Sequence, residues 1–423
     1  MVDPRILLIG YNGANNTGAE ALLLSDLADV RAVFGPHAPV TIPALEPANL
    51  RRYVGEEPGV RVERLPTIFP RTVRRLARAH DLVMLVEGSA YMDTWASALL
   101  WYFLWATHCA AVGDTPCLAY AVDAGQLRPR NQRLVGRYAS ETDLIVTRSA
   151  AAAERLRSWG VTAPIEVTAD NAFRFDPRPE DERWLRAAWP DAGPAPIGIA
   201  AVDLFLWPVV IRPFGRRADR YRWPYSFKRS PELRRASQRL AAGYARIADR
   251  VVELHGRPVA LICMEELDEA LARMIRTRMR RPDRARIFSS RELDASKMTV
   301  LLRSLGGLVT SRYHASVLSM AAGVPQVGVG HDLRLRTLFE ELGLSRCFVG
   351  PGTHGDLAGD TARLDAMVEQ VSMSLEEILA APTDVTRALL DGYRSHLHDA
   401  RRNRELLHTY ALGHGWGDVP WAA

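Results

Sequence analysis

The sequence predicts an α/β protein made of two Rossmann-like domains facing a cleft. Three observations predict it. Short apolar runs alternate with helical patterns from Ile6 to Val167, the signature of a parallel sheet with helices on both faces. A proline-rich polar stretch then interrupts the series, and a second alternating series begins at Ile197. At 423 residues the chain is also too long for one ordinary core.

The first series places strands at 6–9, 40–42, 82–86, 117–122, 144–147 and 165–167, with helices at 19–33, 96–112, 130–140 and 150–160. The stretch 96–112 is almost uncharged. Ser97, Thr107 and His108 interrupt it and it is marginal in length for a span, so it reads as a buried helix. Pro177, Pro179, Pro190, Pro194 and Pro196 mark a hinge with a short helix inside. The second series places strands at 197–200, 259–263, 285–288, 305–309 and 326–329, and helices at 240–255, 267–279 and 315–322. Helices at 364–379 and 387–410 close the chain. The expected organisation is a first domain over 1–176, a hinge over 177–196 and a second domain over 197–385. Residues 386–423 form a C-terminal helix and tail that pack back on the first domain. This is the GT-B arrangement, whose ligands bind outside the carboxyl ends of the strands.

Composition sets outer bounds. Apolar residues make up 48% and charged residues 24%, ordinary for a globular protein, and the formal charge is +5. Of 54 basic residues only Lys228 and Lys297 are lysines. The arginines are spread along the chain, which argues against nucleic acid as a partner and fits an anionic small substrate. Contact with a membrane surface remains compatible with this charge. Cys109, Cys117, Cys263 and Cys347 show no zinc or disulfide spacing, so free buried thiols are expected and no metal site is predicted. The N-terminus runs straight into the first strand, without the pattern of a secretory signal, and the expected location is the cytoplasm.

The most informative segment is Thr310-Ser311-Arg312-Tyr313-His314-Ala315, between a strand and a helix that Gly323-Val324-Pro325 stops. A strand, a polar turn and a helix N-terminus present backbone N–H groups to an anion. Arg312 adds a fixed charge and His314 a proton donor near neutral pH. An arginine salt bridge and a satisfied histidine at a domain interface is the alternative. A second loop, Gly10-Tyr11-Asn12-Gly13-Ala14-Asn15-Asn16-Thr17-Gly18-Ala19-Glu20, opens the first helix, either as a binding loop or as a plain turn. At Val86-Glu87-Gly88-Ser89, followed by Asp93, the acids could orient a sugar hydroxyl or act as a base, while Ser89 reads as a helix cap. Asp170 reads as a cap or a brace. Glu265, Glu266 and Asp268 suit a helix start or the grip of hydroxyls. The segment 207–229 mixes arginines with Tyr221, Trp223, Tyr225 and Phe227 and reads as a mobile loop over the cleft.

In this order, these pieces resemble the polysaccharide pyruvyl transferase family. The resemblance runs from the 10–20 loop through 87–93, 148–156 and 167–173 to 311–325. Its most specific part is Ser-Arg-Tyr-His-Ala followed by Ala322-Gly323-Val324-Pro325; Glu265 with Asp268, and Asp332 with Arg334, look like a bacterial branch. The family usually shows a Gly-Asp-Glu-like end to the first loop and a glycine triplet at the second site. This chain has Gly18-Ala19-Glu20 and Glu87-Gly88-Ser89 there. The resemblance implies transfer of a pyruvyl group from phosphoenolpyruvate, a co-substrate, to two sugar hydroxyls as a ketal, with no further cofactor. It implies a donor site of Ser311, Arg312, Tyr313, His314 and Glu265, and an acceptor site of Asn12, Gly13, Asn16, Glu20, Glu87 and Gly88. His314 would be the general acid, Arg312 the anion clamp and Asp93 or Glu87 the base. The acceptor sugar could be free, nucleotide-linked or lipid-linked, the last placing the protein at the inner membrane face. Two rivals share the architecture: a glycosyltransferase using a nucleotide sugar, and a binding protein that has lost catalysis.

Overall fold

The computed structural model describes residues 3–193, 195–207, 209–330, 332–350 and 357–416. Seven strands form the first sheet: β1 (Ile6–Ile9), β2 (Val40–Ala44), β3 (Val60–Arg64), β4 (Leu82–Leu85), β5 (Cys117–Val122), β6 (Leu144–Thr147) and β7 (Ile165–Val167). Their order is β3-β2-β1-β4-β5-β6-β7, with every pairing parallel. β1, β2, β4 and β5 are buried along their whole length, because helices cover both faces. β3 was not foreseen: Val60–Arg64 alternates charge with valine and is only half-buried at the sheet edge.

The second sheet contains β8 (Ile197–Ala200), β12 (Val259–Cys263), β13 (Ala285–Ser289), β14 (Gly307–Thr310), β15 (Gln326–Val329) and β16 (Phe348–Val349). Its order is β13-β12-β8-β14-β15-β16, again parallel throughout. Both sheets reverse their winding at one place, between β1 and β4 in the first and between β8 and β14 in the second. A reversal leaves a crevice at the strand ends. The loops after β1, β4 and β14 are the segments singled out from the sequence.

Between β8 and β12 the chain inserts β9 (Val209–Ile211), β10 (Arg220–Arg222) and β11 (Tyr225–Phe227), an antiparallel sheet in the order β10-β11-β9. The segment read as a mobile loop is therefore a built flap, and it is docked on the first half. The Val209 N–H donates to Trp95 O at 2.8 Å, Tyr225 OH donates to Thr67 O at 3.1 Å, and Arg222 pairs with Glu46. Alternation of aromatic and basic residues over three-residue strands is too short a pattern to read as strands from sequence.

The halves are also joined below the cleft. Ala21 and Leu22 of the helix Thr17–Phe34 belong to the same apolar core as the second sheet. The Thr17 N–H donates to Met264 O at 2.9 Å, and Ser290 Oγ to Asn15 O at 2.6 Å. The last helix, Thr383–Gly413, packs Val385 and Leu389 into that core and Leu407 and Ala411 into the core of the first sheet. Arg404 Nε donates to Asp29 Oδ1 at 2.8 Å on the way. The apolar helix Ser97–Val112 is packed inside the first half. Among the described residues no helix is long and apolar enough to cross a membrane. All four cysteines are free and buried.

Candidate active site

The 10–16 loop leaves β1 through Gly13, whose φ of +67° and whose approach to Glu46 exclude a side chain: a Cβ there would lie 2.6 Å from Glu46 O. Asn12 Nδ2 donates to Pro43 O at 3.3 Å, and the Gly13 N–H to Tyr53 OH at 3.3 Å. Both residues, expected to bind acceptor, shape the loop from behind and do not line the cleft. Asn16 does line it, and caps the helix Thr17–Phe34 by accepting from the Ala19 N–H at 3.1 Å. Glu20 turns away from the cleft. It accepts from Arg52 at 2.8 Å and from the Ala295 N–H at 3.0 Å, and burial outweighs both and pushes its carboxyl up to about 8. It braces the halves, which corrects its expected acceptor role.

After β4, Glu87 stands at the cleft wall, accepting from the Tyr11 N–H at 3.2 Å and the Ser89 N–H at 3.1 Å. Gly88 leaves room for a guanidinium, since a Cβ would meet Arg148 Nη1 at 2.4 Å. Ser89 caps no helix; its Oγ accepts from Arg334 Nη1 across the cleft at 2.9 Å. Asp93 is not in the cleft. It accepts from Asn131 Nδ2 at 2.6 Å and the Arg128 N–H at 3.3 Å, beside a separate depression lined by Gln126 and Arg128. As a candidate base it is corrected by its position, because the loop carries it past the strand end.

On the opposite side, β14 ends at Thr310 and Arg312 is the N-cap residue of the helix Tyr313–Met320. The Ser311 N–H bonds to Ala200 O at 2.9 Å, which fixes the turn. Arg312 Nε donates to Asp268 Oδ2 at 3.0 Å, its Nη2 also meets Asp268, and its Nη1 lies 3.1 Å from Glu265. Burial opposes the Arg312 charge, but Asp268 and Glu265 outweigh it and hold the charge fixed. Burial pushes the Glu265 carboxyl up to about 7 against the pull of Arg312. Glu265 also stands 3.5 Å from Tyr11 OH, which touches Tyr221 OH of the flap.

His314 sits where the two halves meet. A Cβ on Gly18 would lie 2.1 Å from its Nδ1, so the glycine is what admits the ring. On the other edge Nε2 lies 3.6 Å from Asp170 Oδ2. Asp170 pairs with Arg148 and accepts from the Ala172 N–H at 2.8 Å. Burial alone would raise its carboxyl, but Arg148 and His314 hold it well below the usual range. Arg148 Nε donates to Asp123 at 2.9 Å, and its guanidinium lies 4.4 Å from the Tyr313 ring centroid. Arg334, paired with Asp332, lies 5.8 Å from the same ring. Arg148, Arg312 and Arg334 are thus each held by a carboxylate around one histidine.

Residues 16–332 match the family described as Polysaccharide pyruvyl transferase. The chain belongs to that family. No curated protein matches it. Among solved structures it is similar to a UDP-GlcNAc 2-epimerase from Neisseria meningitidis bound to UDP-GlcNAc. That match has a TM-score of 0.59 and 10% identity, covering 96% of this chain and 99% of that one. It is similar also to a glycosyltransferase from Rickettsia africae, with a TM-score of 0.52 and 10% identity, covering 96% and 98%. At such identities the likeness shows the fold, GT-B-like with two parallel Rossmann-like sheets.

Of this pyruvyl transferase family member's expected site residues, the fold gathers Asn16, Glu87, Glu265, Ser311, Arg312, Tyr313 and His314 around one cleft. Gly88 lies one shell behind. Arg148, Asp123, Tyr11 and Tyr221 are not among the site residues expected from sequence, and Asp170, expected as a cap or a brace, is both: it caps the turn Asn171–Arg174 and holds Arg148. A signal for three of them existed. Asp123, Arg148 and Asp170 each follow a first-sheet strand, β5, β6 and β7, at the carboxyl ends where a site forms.

Proposed function

We propose that this protein transfers the pyruvyl group of phosphoenolpyruvate to two hydroxyls of an acceptor sugar. The observation that carries the reading is His314, set against Gly18 and backed by Asp170, two residues beyond Arg312 at a helix N-terminus. His314 protonates the methylene carbon of the donor, and the double-bond electrons form the new C–H bond. The adjoining carbon becomes oxocarbenium-like and takes the first hydroxyl oxygen. Its C–O bond to phosphate then breaks, the phosphate leaving with the electron pair, and the second hydroxyl closes the ketal. Of the two hydroxyl protons released, one restores His314 and one goes to phosphate. Asp170 orients the ring and stabilises the imidazolium. Arg312, Arg334 and the helix N-terminus supply positive potential for the donor's carboxylate and phosphate. Glu265, in the cleft, is the base in place of Asp93: it takes each hydroxyl proton as the oxygen attacks and passes it on, one to His314 and one to phosphate, ending ionised as it began.

Phosphoenolpyruvate is expected to raise the melting temperature of the protein, by the equivalent of about 2.7 kcal/mol at a hundred times its dissociation constant. UDP-sugars alone are expected to leave it unchanged. The reverse pattern would replace this reading by a nucleotide-sugar enzyme. With a donor and an accepted sugar, turnover should rise with pH through about 7, as Glu265 must be ionised to accept a proton. Glu265→Gln should flatten that limb and lower the rate about a hundredfold or more.

The place of action we infer is the cytoplasm, at the inner face of the membrane. The flap's outward edge supports it. Phe214 is 88% exposed and Trp223 51% exposed, beside exposed Arg212, Arg216 and Arg217. The protein is expected to sediment with vesicles containing phosphatidylglycerol and not with neutral ones; equal recovery with both would remove this part of the reading.

A further inference from the structure

The cleft has two chemically different ends. Around His314 it is ionic. Beyond Glu87 it is walled by Leu65, Phe69, Leu99 and Tyr102 of the first half and roofed by Trp207 and Val209, which lead into and begin the flap. Phe69, Leu99 and Trp207 are only half-buried, so the protein leaves apolar surface uncovered inside a roofed space. The nearby cation on the flap, Arg222, is paired with Glu46, while Arg312 and Arg334 are held by their own carboxylates. Among the described lining residues Arg312 and Arg334 stand at the ionic end, where the donor reading already uses them, which leaves this end only Arg222, paired with Glu46, to meet a diphosphate. Two polar atoms of this wall, Tyr102 OH and Trp207 Nε1, are buried without a hydrogen-bond partner. Both are closed off from the cleft, so a further sugar ring, with three or more hydroxyls that need partners, would face mainly carbon here. A flat or alkyl group matches the half-buried faces of Phe69, Leu99 and Trp207 better.

We propose that this end of the cleft binds an uncharged aryl or alkyl aglycone joined directly to the acceptor sugar. The acceptor is then a small glycoside, neither a nucleotide sugar nor a sugar on a lipid diphosphate. That the occupant is an acceptor rests on the pyruvyl-transfer reading; that it is apolar and uncharged rests on the wall.

The test is calorimetric titration, without donor, of the full chain with methyl, octyl and 4-nitrophenyl β-glucosides and β-galactosides, methyl β-cellobioside and UDP-glucose. The octyl or nitrophenyl compound of at least one sugar is expected to bind about tenfold or more tighter than its methyl partner. Leu99→Asp is expected to abolish that preference. Leu99→Ala, which removes area without adding charge, should reduce it several-fold with the fold intact by circular dichroism. Equal binding of methyl, octyl and nitrophenyl compounds, or no binding by any of them, overturns the proposal. So does tighter binding of UDP-glucose or methyl β-cellobioside than of the nitrophenyl glycosides. The two readings fail separately. An aglycone preference with no phosphoenolpyruvate shift keeps the subsite and removes pyruvyl transfer, and a donor shift without the preference does the opposite.

Discussion

His314→Asn is expected to lower turnover of phosphoenolpyruvate about a thousandfold, within the range for losing a positioned general acid. The melting temperature should hardly move, because the ring contributes no strong hydrogen bond through Nε2; Asp170 is 3.6 Å away and is held by Arg148 in any case. Donor binding should persist, since its charge partners remain. Gly18→Ala should produce a loss of the same kind with no change to His314 itself. The added methyl would lie 2.1 Å from Nδ1, so the ring must leave its place. Alanine is the better helix former in the helix Thr17–Phe34, so the loss cannot be assigned to a weakened helix. Phosphate release with an accepted sugar reads both variants. Turnover within tenfold of the parent in His314→Asn would remove the histidine from the chemistry.

Why Gly18 could not be interpreted from sequence while His314 could is a matter of range. The motif around His314 is local: a strand, a turn and a helix start within ten residues, each with its own signal. The alternation of apolar runs is local too, and it placed the long buried strands of both sheets, while their order and the two winding reversals are set by pairing between distant strands. Gly18 is explained only by a residue 296 positions away, across the junction of the two halves. Arg148 has the same character. Its partners Asp123 and Asp170 come from the ends of neighbouring strands, and its ring contact, Tyr313, comes from the other half. Asp93 failed in the opposite direction. Its proximity in sequence to Glu87 suggested proximity in space, but a turn closed by the Ala90 N–H on Glu87 O redirects the chain and carries Asp93 to another surface. Burial, which decides that Glu265 titrates near neutrality, cannot be read from residue type at all.

Asp170→Ala is expected to be the most destabilising single change at the site, about 3–5 kcal/mol in urea unfolding at pH 7. Asp170 is wholly buried, and its removal leaves the equally enclosed Arg148 cation with Asp123 alone. Most of the cost is that of an uncompensated charge, so the double variant Arg148→Met with Asp170→Ala should recover part of it. The two single losses should therefore not add. Asp170→Asn keeps the shape and the Ala172 contact while losing the charge, and should fall between. The pH dependence has a definite sign. The folded protein holds the Asp170 carboxyl below its ordinary value of 3.8. Its contribution is therefore present above that value and is lost as pH falls below it through the folded one. The gap between the parent and Asp170→Asn should accordingly be full at pH 7 and shrink in acid. Equal stability of Asp170→Ala and the parent at pH 7 would mean that Asp123 alone satisfies Arg148. The ion cluster behind His314 would then serve the orientation of the ring and not the integrity of the fold.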